Sequence, residues 1–231
     1  VVGTRNGTVV LRDGESVTVD GRTGRVTEAS DAPVPVIAIA PAPPLQVAIA
    51  PTSEALATKL YVNLAMADQA EEVAKLDVDG VGLLRAEFML VDALGGRHPK
   101  EVIARDGASA VVEKLVEKLL LITRAFAPRP VIYRTYDFRT NEFRGLKGGE
   151  QHEPEEENPM IGYRGCFRYV KDTSLFKLEL LAMARVREET PNLHLMIPFV
   201  RTRWELLRCL ELVDSSPLGR QRGLHRWVMA E

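Results

Sequence analysis

From residue 52 onward, short runs rich in β-branched and aromatic residues alternate with runs whose apolar residues recur at helical spacing. This alternation constrains the fold more than any other feature. A strand followed by a helix brings the chain back to start the next strand in the same direction, so the pattern points to an α/β fold with a parallel sheet. Strands are expected at residues 59–64, 80–89, 131–137, 193–200 and 224–231. Helices are expected at 68–76, with Asp68 as N-cap, and at 108–126, 174–189 and 202–213. The helix at 108–126 is the clearest, with Val111, Val112, Leu115, Leu119, Ile122 and Phe126 on one face.

Two different pieces precede this region. Residues 1–29 read as short strands separated by turns at Asp13-Gly14, Asp20-Gly21 and Thr23-Gly24. Residues 30–51 are rich in Pro and Ala and read as a semi-rigid linker, because proline fixes φ and favours extended chain. The 231 residues carry a net charge of −2 and are 45 % hydrophobic, which gives no sign of a polyanion-binding protein. No apolar run is long enough for a membrane span. The two cysteines, Cys166 and Cys209, lack CxxC spacing, which argues against a disulfide or zinc framework and fits a cytoplasmic setting. Cys209 is expected to be buried on a helix face. Val1 is not a Met and Glu231 falls within a strand-like run, so the chain reads as part of a longer protein.

Chemistry concentrates in residues 131–168, VIYRTYDFRTNEFRGLKGGEQHEPEEENPMIGYRGCFR. Arg134 sits inside a strand-like run, where an arginine is costly to bury unless it is paired or faces a ligand. Asp137 follows the strand and is expected to orient Arg134. Arg164 closes the stretch between Gly162 and Gly165, which allow a tight turn. In GVGLLRAEF, residues 80–88, Arg85 and Glu87 are two apart and so are expected to share one face of the strand, at its C-terminal end. Each arginine also has a plain structural reading. Arg85 could pair with Glu87, Arg134 could lie on the surface of an edge strand, and Arg164 could pair with Glu155, Glu156 or Glu157. Gly80 and Gly82 lack the spacing of a nucleotide-binding loop.

Three stretches, YRTYDFRTNE…GGE…EPEEENPMIGYRG, GVGLLRAEF and MIPFVRT (residues 196–202), closely resemble the phosphoenolpyruvate-binding barrel of the PEP-utilising enzymes. This family includes phosphoenolpyruvate synthase (pyruvate, water dikinase), pyruvate phosphate dikinase and the phosphotransferase-system enzyme I. The resemblance implies an incomplete (β/α)₈ TIM-type barrel over residues 52–231, truncated after about five strands. It also implies that residues 1–29 are the C-terminal remnant of a swivelling phosphohistidine domain. Arg85, Arg134 and Arg164 become catalytic and substrate-binding groups around a phosphoryl group, with Asp137 beside them. Guanidinium suits that task because it offers paired donors in a fixed plane. The resemblance makes Glu231 a ligand of Mg²⁺, the implied cofactor, together with an Asp on the next strand. That Asp, the phosphorylated His and the family's proton-transferring Cys are not found in this sequence.

Within the family, DFRTNE and EPEEENPM look more like the synthase. The implied reaction of the intact protein converts pyruvate, ATP and water to phosphoenolpyruvate, AMP and phosphate through a phosphohistidine, and this chain alone is expected to be inactive. Pyruvate phosphate dikinase chemistry, an enzyme I-like phosphotransferase and a degenerate barrel with a scaffold or binding role stay open as alternatives. The implied partners are pyruvate and phosphoenolpyruvate, with ATP held by a domain outside this chain. Nucleic acid and membrane are not expected, and a homodimer is left open.

Overall fold

A computed structural model of the chain describes residues 7–20, 25–28 and 57–231. The chain divides into two compact units, Val1–Glu54 and Ala55–Glu231. The linker expected at residues 30–51 lies outside the described residues.

The first unit holds a one-turn helix α1 (Gly7–Val10) and a two-stranded antiparallel hairpin of β1 (Val17–Asp20) and β2 (Arg25–Glu28). The strands flanking Asp20-Gly21 are as expected. Residues 8–10 are helical, contrary to the strand expected there. The Leu11 N–H donates to Gly7 O at 2.9 Å, a local bond that needs no sheet neighbour.

The second unit carries a five-stranded parallel sheet in the order β3 (Tyr61–Leu64), β4 (Gly80–Arg85), β5 (Val131–Arg134), β6 (Leu193–Val200), β7 (Arg226–Ala230). The expected α/β class and all five expected strands are present. The connections carry α2 (Ala70–Ala74), α3 (Ala86–Ala93), α4 (Pro99–Asp106), α5 (Ala108–Phe126), α6 (Thr140–Arg144), α7 (Gly165–Lys171), α8 (Ser174–Glu189) and α9 (Arg203–Ser215). The long helices α5 and α8 pack on one another, and Leu115, Leu119, Ile122, Phe126, Phe176, Leu180 and Met183 are fully buried. Each such side chain contributes about 1.5–3 kcal/mol by leaving water. No helix among the described residues is long and apolar enough to cross a membrane.

Three local expectations are corrected. Asp68 is not an N-cap. It lies inside a 3₁₀ turn, Ala67–Gln69, whose cap position is Met66. The strand expected at 80–89 ends at Arg85, where the chain enters α3, so Glu87 lies in a helical first turn and not on a strand face. Helices α4, α6 and α7 fill stretches not assigned to helices in the sequence. Each is eight residues or fewer, too short for periodicity to register. The cap of α4 is also unusual, since His98 Nδ1 accepts from the Lys100 N–H at 3.2 Å and Pro99 occupies the first turn.

Candidate functional site

Because the five strands are parallel, their C-terminal ends lie on one side of the sheet. Register places Arg85 on β4 directly beside Arg134 on β5. Both line an open cleft of about 590 Å³, together with Asp137 and Arg164. The structure therefore brings together four of the five residues singled out in the sequence. Glu231 does not line the cleft. It follows β7 at the same end of the sheet, is exposed, and donates its N–H to Val200 O at 3.2 Å.

The pairing within the cleft differs from expectation. Arg134 is oriented by Glu87, with Nη2 donating to Oε1 at 2.7 Å. The same Oε1 accepts the Asp137 backbone N–H at 2.7 Å, so one partly buried carboxylate sets both an arginine and the turn after β5. Asp137 was expected to orient Arg134. Its nearer oxygen is 3.9 Å from Arg134, and its fork holds Arg164 instead, with Nε to Oδ1 at 3.0 Å and Nη2 to Oδ2 at 2.6 Å. Arg164 also donates to Met160 O at 3.1 Å, and its guanidinium lies 4.0 Å from the centre of the Phe199 ring.

The structural pairings considered for Arg85 and Arg164 are not the ones found. Glu87 belongs to Arg134, while Glu156 accepts from Thr140 Oγ1 at 2.7 Å and the Tyr163 N–H at 2.9 Å. Arg134 is on the inner strand β5, not on a sheet edge. Arg85 is exposed and has no carboxylate partner among the described residues. Arg134 Nε and Glu87 Oε2 are buried, and neither has a hydrogen-bond partner among the described residues.

A second layer anchors the loop that carries Arg164. Arg168 on α7 forms a two-point pair with Glu153, both bonds 2.7 Å, and Glu153 also contacts His98 Nε2 at 3.1 Å. All three are buried. Burial acts to raise the Glu153 carboxyl, but its bonds to His98 and Arg168 outweigh this and hold it below the usual range. At the end of β5, Glu179 of α8 accepts from Tyr133 Oη at 2.7 Å and the Tyr136 N–H at 3.0 Å. Its full burial pushes its carboxyl up to about 8. Glu87 and Glu179 thus accept from the consecutive N–H groups of Asp137 and Tyr136. Sequence reading missed the roles of Glu87, Glu153, Arg168, Glu179 and His98. The available signal was weak: a glutamate one place into the helix after an arginine-ended strand.

Cys209 is buried on α9, as expected, and lies with its sulfur 3.2 Å from that of buried Cys166 on α7, away from the cleft. Among the described residues, no group of three His, Cys, Asp or Glu side chains could by itself hold a metal ion.

Comparison with known proteins identifies the family of the domain. Residues 43–231 match the model of the PEP-utilising enzyme PEP-binding domain. The whole chain aligns with a probable phosphoenolpyruvate synthase of Staphylothermus marinus at 41 % identity, covering 29 % of that protein. It aligns equally fully with the phosphoenolpyruvate synthase of Aeropyrum pernix at 39 % identity, covering 29 %, and with a probable phosphoenolpyruvate synthase of Methanocaldococcus jannaschii at 42 %, covering 19 %. The chain spans less than a third of the length of these relatives. Matched over most of its length by the family model, it belongs to the PEP-binding domain family of PEP-utilising enzymes.

Proposed function

We propose that the protein carrying this chain makes phosphoenolpyruvate from pyruvate, ATP and water through a phosphohistidine, releasing AMP and phosphate, and that this chain supplies part of the pyruvate and phosphoenolpyruvate site. The observation that carries the reading is the convergence of Arg85, Arg134 and Arg164 in one cleft at the C-terminal end of a parallel sheet. This is where α/β barrels place their chemistry. Four arginines and three carboxylates line the cleft, an excess of cation suited to an anionic substrate. The names of the curated relatives support the same reading.

The roles follow from the pairing. Arg134 and Arg164 are held in fixed planes by Glu87 and Asp137, which suits them to direct donors at phosphoryl or carboxylate oxygens without reorganising during transfer. Arg85, with no carboxylate partner among the described residues, has the most coordination to offer the phosphoryl group. Arg134 Nε, buried and without a partner among the described residues, is a further donor that a bound oxygen could satisfy.

The Mg²⁺ that the family implies fits Glu231, an exposed carboxylate at the same end of the sheet. Such ions are held by one or two carboxylates together with substrate oxygens and water. Bound there, the ion would supply Lewis acidity toward substrate oxygens. We further take the sheet to be a portion of an eight-stranded barrel and the β1–β2 hairpin to be part of a swivelling phosphohistidine domain, in a cytoplasmic enzyme.

The test uses the full-length gene product. Arg134→Lys keeps charge but loses the planar fork, and is expected to slow phosphoenolpyruvate formation at least about tenfold. ATP-driven phosphorylation of the protein should stay near the parent rate. Unchanged phosphoenolpyruvate formation, or equal loss of both half-reactions, would overturn the reading.

A further inference from the structure

Phe199 is the only non-glycine with positive φ among the described residues, at +47°. An L side chain in this region crowds its own backbone, so such a residue persists only where its surroundings over-determine it. Here they do. The pairing of β6 with β7 shifts register between Ile197 and Val200, and the resulting irregularity contains Phe199. On one side stands Gly165, also left-handed at +49°, where a Cβ would come 2.6 Å from Phe199 Cβ and 3.0 Å from Asp137 Oδ1. The end of β6 and the start of α7 therefore meet closely at the residue after Arg164.

The consequence is geometric. Asp137 grips the Nε and Nη2 edge of Arg164, and Met160 O takes Nη1. These bonds fix where the guanidinium edge lies. The face is set by the Phe199 ring, whose centre is 4.0 Å from the guanidinium carbon. Arg201 also approaches that ring, at 5.2 Å, and donates to Gly162 O at 3.4 Å, which ties the ring to the loop leading into Arg164. A guanidinium over an aromatic face is attracted by the ring quadrupole.

We propose that Phe199 is a positioning residue for the site: its ring, presented by a left-handed residue at the irregular end of β6, sets the plane in which Arg164 meets substrate. This rests on the reading of Arg164 as a substrate-binding cation. Phe199 itself acts through Arg164 and donates nothing to the substrate.

The experiment measures exchange between pyruvate and phosphoenolpyruvate in the full-length gene product. Phe199→Leu retains an apolar side chain but removes the ring face, and is expected to raise the KM for phosphoenolpyruvate about three- to thirtyfold, with a smaller change in kcat. Phe199→Tyr restores the face and should return KM to within about twofold of the parent. In an Arg164→Gln background, Phe199→Leu should have no further effect. If the leucine variant folds poorly, Phe199→Gly removes the ring while accepting the left-handed backbone, and the same rise in KM is expected. An unchanged KM in a folded ring-less variant, or equal losses in the parent and Arg164→Gln backgrounds, overturns the inference and leaves the site reading standing. If Arg164→Gln alone leaves exchange at the parent rate, the site reading fails first and the inference falls with it.

Discussion

One oxygen of Glu87 takes both the Arg134 guanidinium and the Asp137 N–H, so a single charge governs two parts of the cleft. Glu87→Gln keeps the shape and removes the charge. A hydrogen bond to a charged group is worth about 1.5–3 kcal/mol, so the variant is expected to lose about ten- to a hundredfold in turnover with its fold retained. Steady-state kinetics beside circular dichroism check this, and parent-like turnover would show that Arg134 is oriented by other groups. Glu179 makes a different prediction. Burial pushes its carboxyl up to about 8, opposed by bonds from Tyr133 and Tyr136 and aided by nearby Glu87, whereas an unfolded glutamate titrates near about 4.3. Folding therefore takes up a proton between these values. The contribution is complete below about pH 4 and is lost as pH rises through about 8, at up to about 1.4 kcal/mol per unit. Urea unfolding from pH 5 to 8 is expected to show a shallower decline for Glu179→Gln than for the parent. Identical slopes would mean that Glu179 does not titrate in this range.

At the scale of elements, α7 begins where two chain segments touch. Gly165 is left-handed and leaves no room for a side chain against Phe199 and Asp137. Gly165→Ala is expected to cost about 1–3 kcal/mol and to disturb the Arg164 grip, measurable as a lower melting temperature with weaker substrate binding. An unaffected melting temperature would mean that the start of α7 moves freely away from β6. The long helices were legible in the sequence. The expected ranges 108–126 and 174–189 coincide with α5 and α8, because an amphipathic stripe over four or more turns is a local signal. The short helices α4, α6 and α7 were not, because one or two turns carry too few apolar positions and depend on partners far away in sequence. α4 shows this: the ring of its His98 cap is buried on Glu153, a residue the sequence gives no reason to place there.

For the whole molecule, the sheet has β3 and β7 at its edges among the described residues, and Trp227 and Val228 on β7 are half exposed. An apolar edge with free N–H and C=O groups is a template for pairing with another chain. The 231-residue chain expressed by itself is therefore expected to self-associate, and sedimentation velocity decides it. A monomer at tens of micromolar would show that these strands are covered within the chain.

The sequence by itself determined the α/β class, the five strands and their direction, and the identity of the arginines, because alternation, periodicity and short motifs are written in neighbouring residues. It placed Arg85 near the end of its strand but Arg134 inside one, whereas the structure ends β5 at Arg134. Only the tertiary structure decided which carboxylate holds which arginine. β4 stops at Arg85, and the helical turn that follows carries Glu87 to Arg134 on the neighbouring strand and away from Arg85. Asp137 is thereby released to grip Arg164 from 27 residues further along the chain. Ion pairs form between whichever groups the backbone brings within reach, and that reach is set by where strands end and how they register, which no spacing in the sequence encodes.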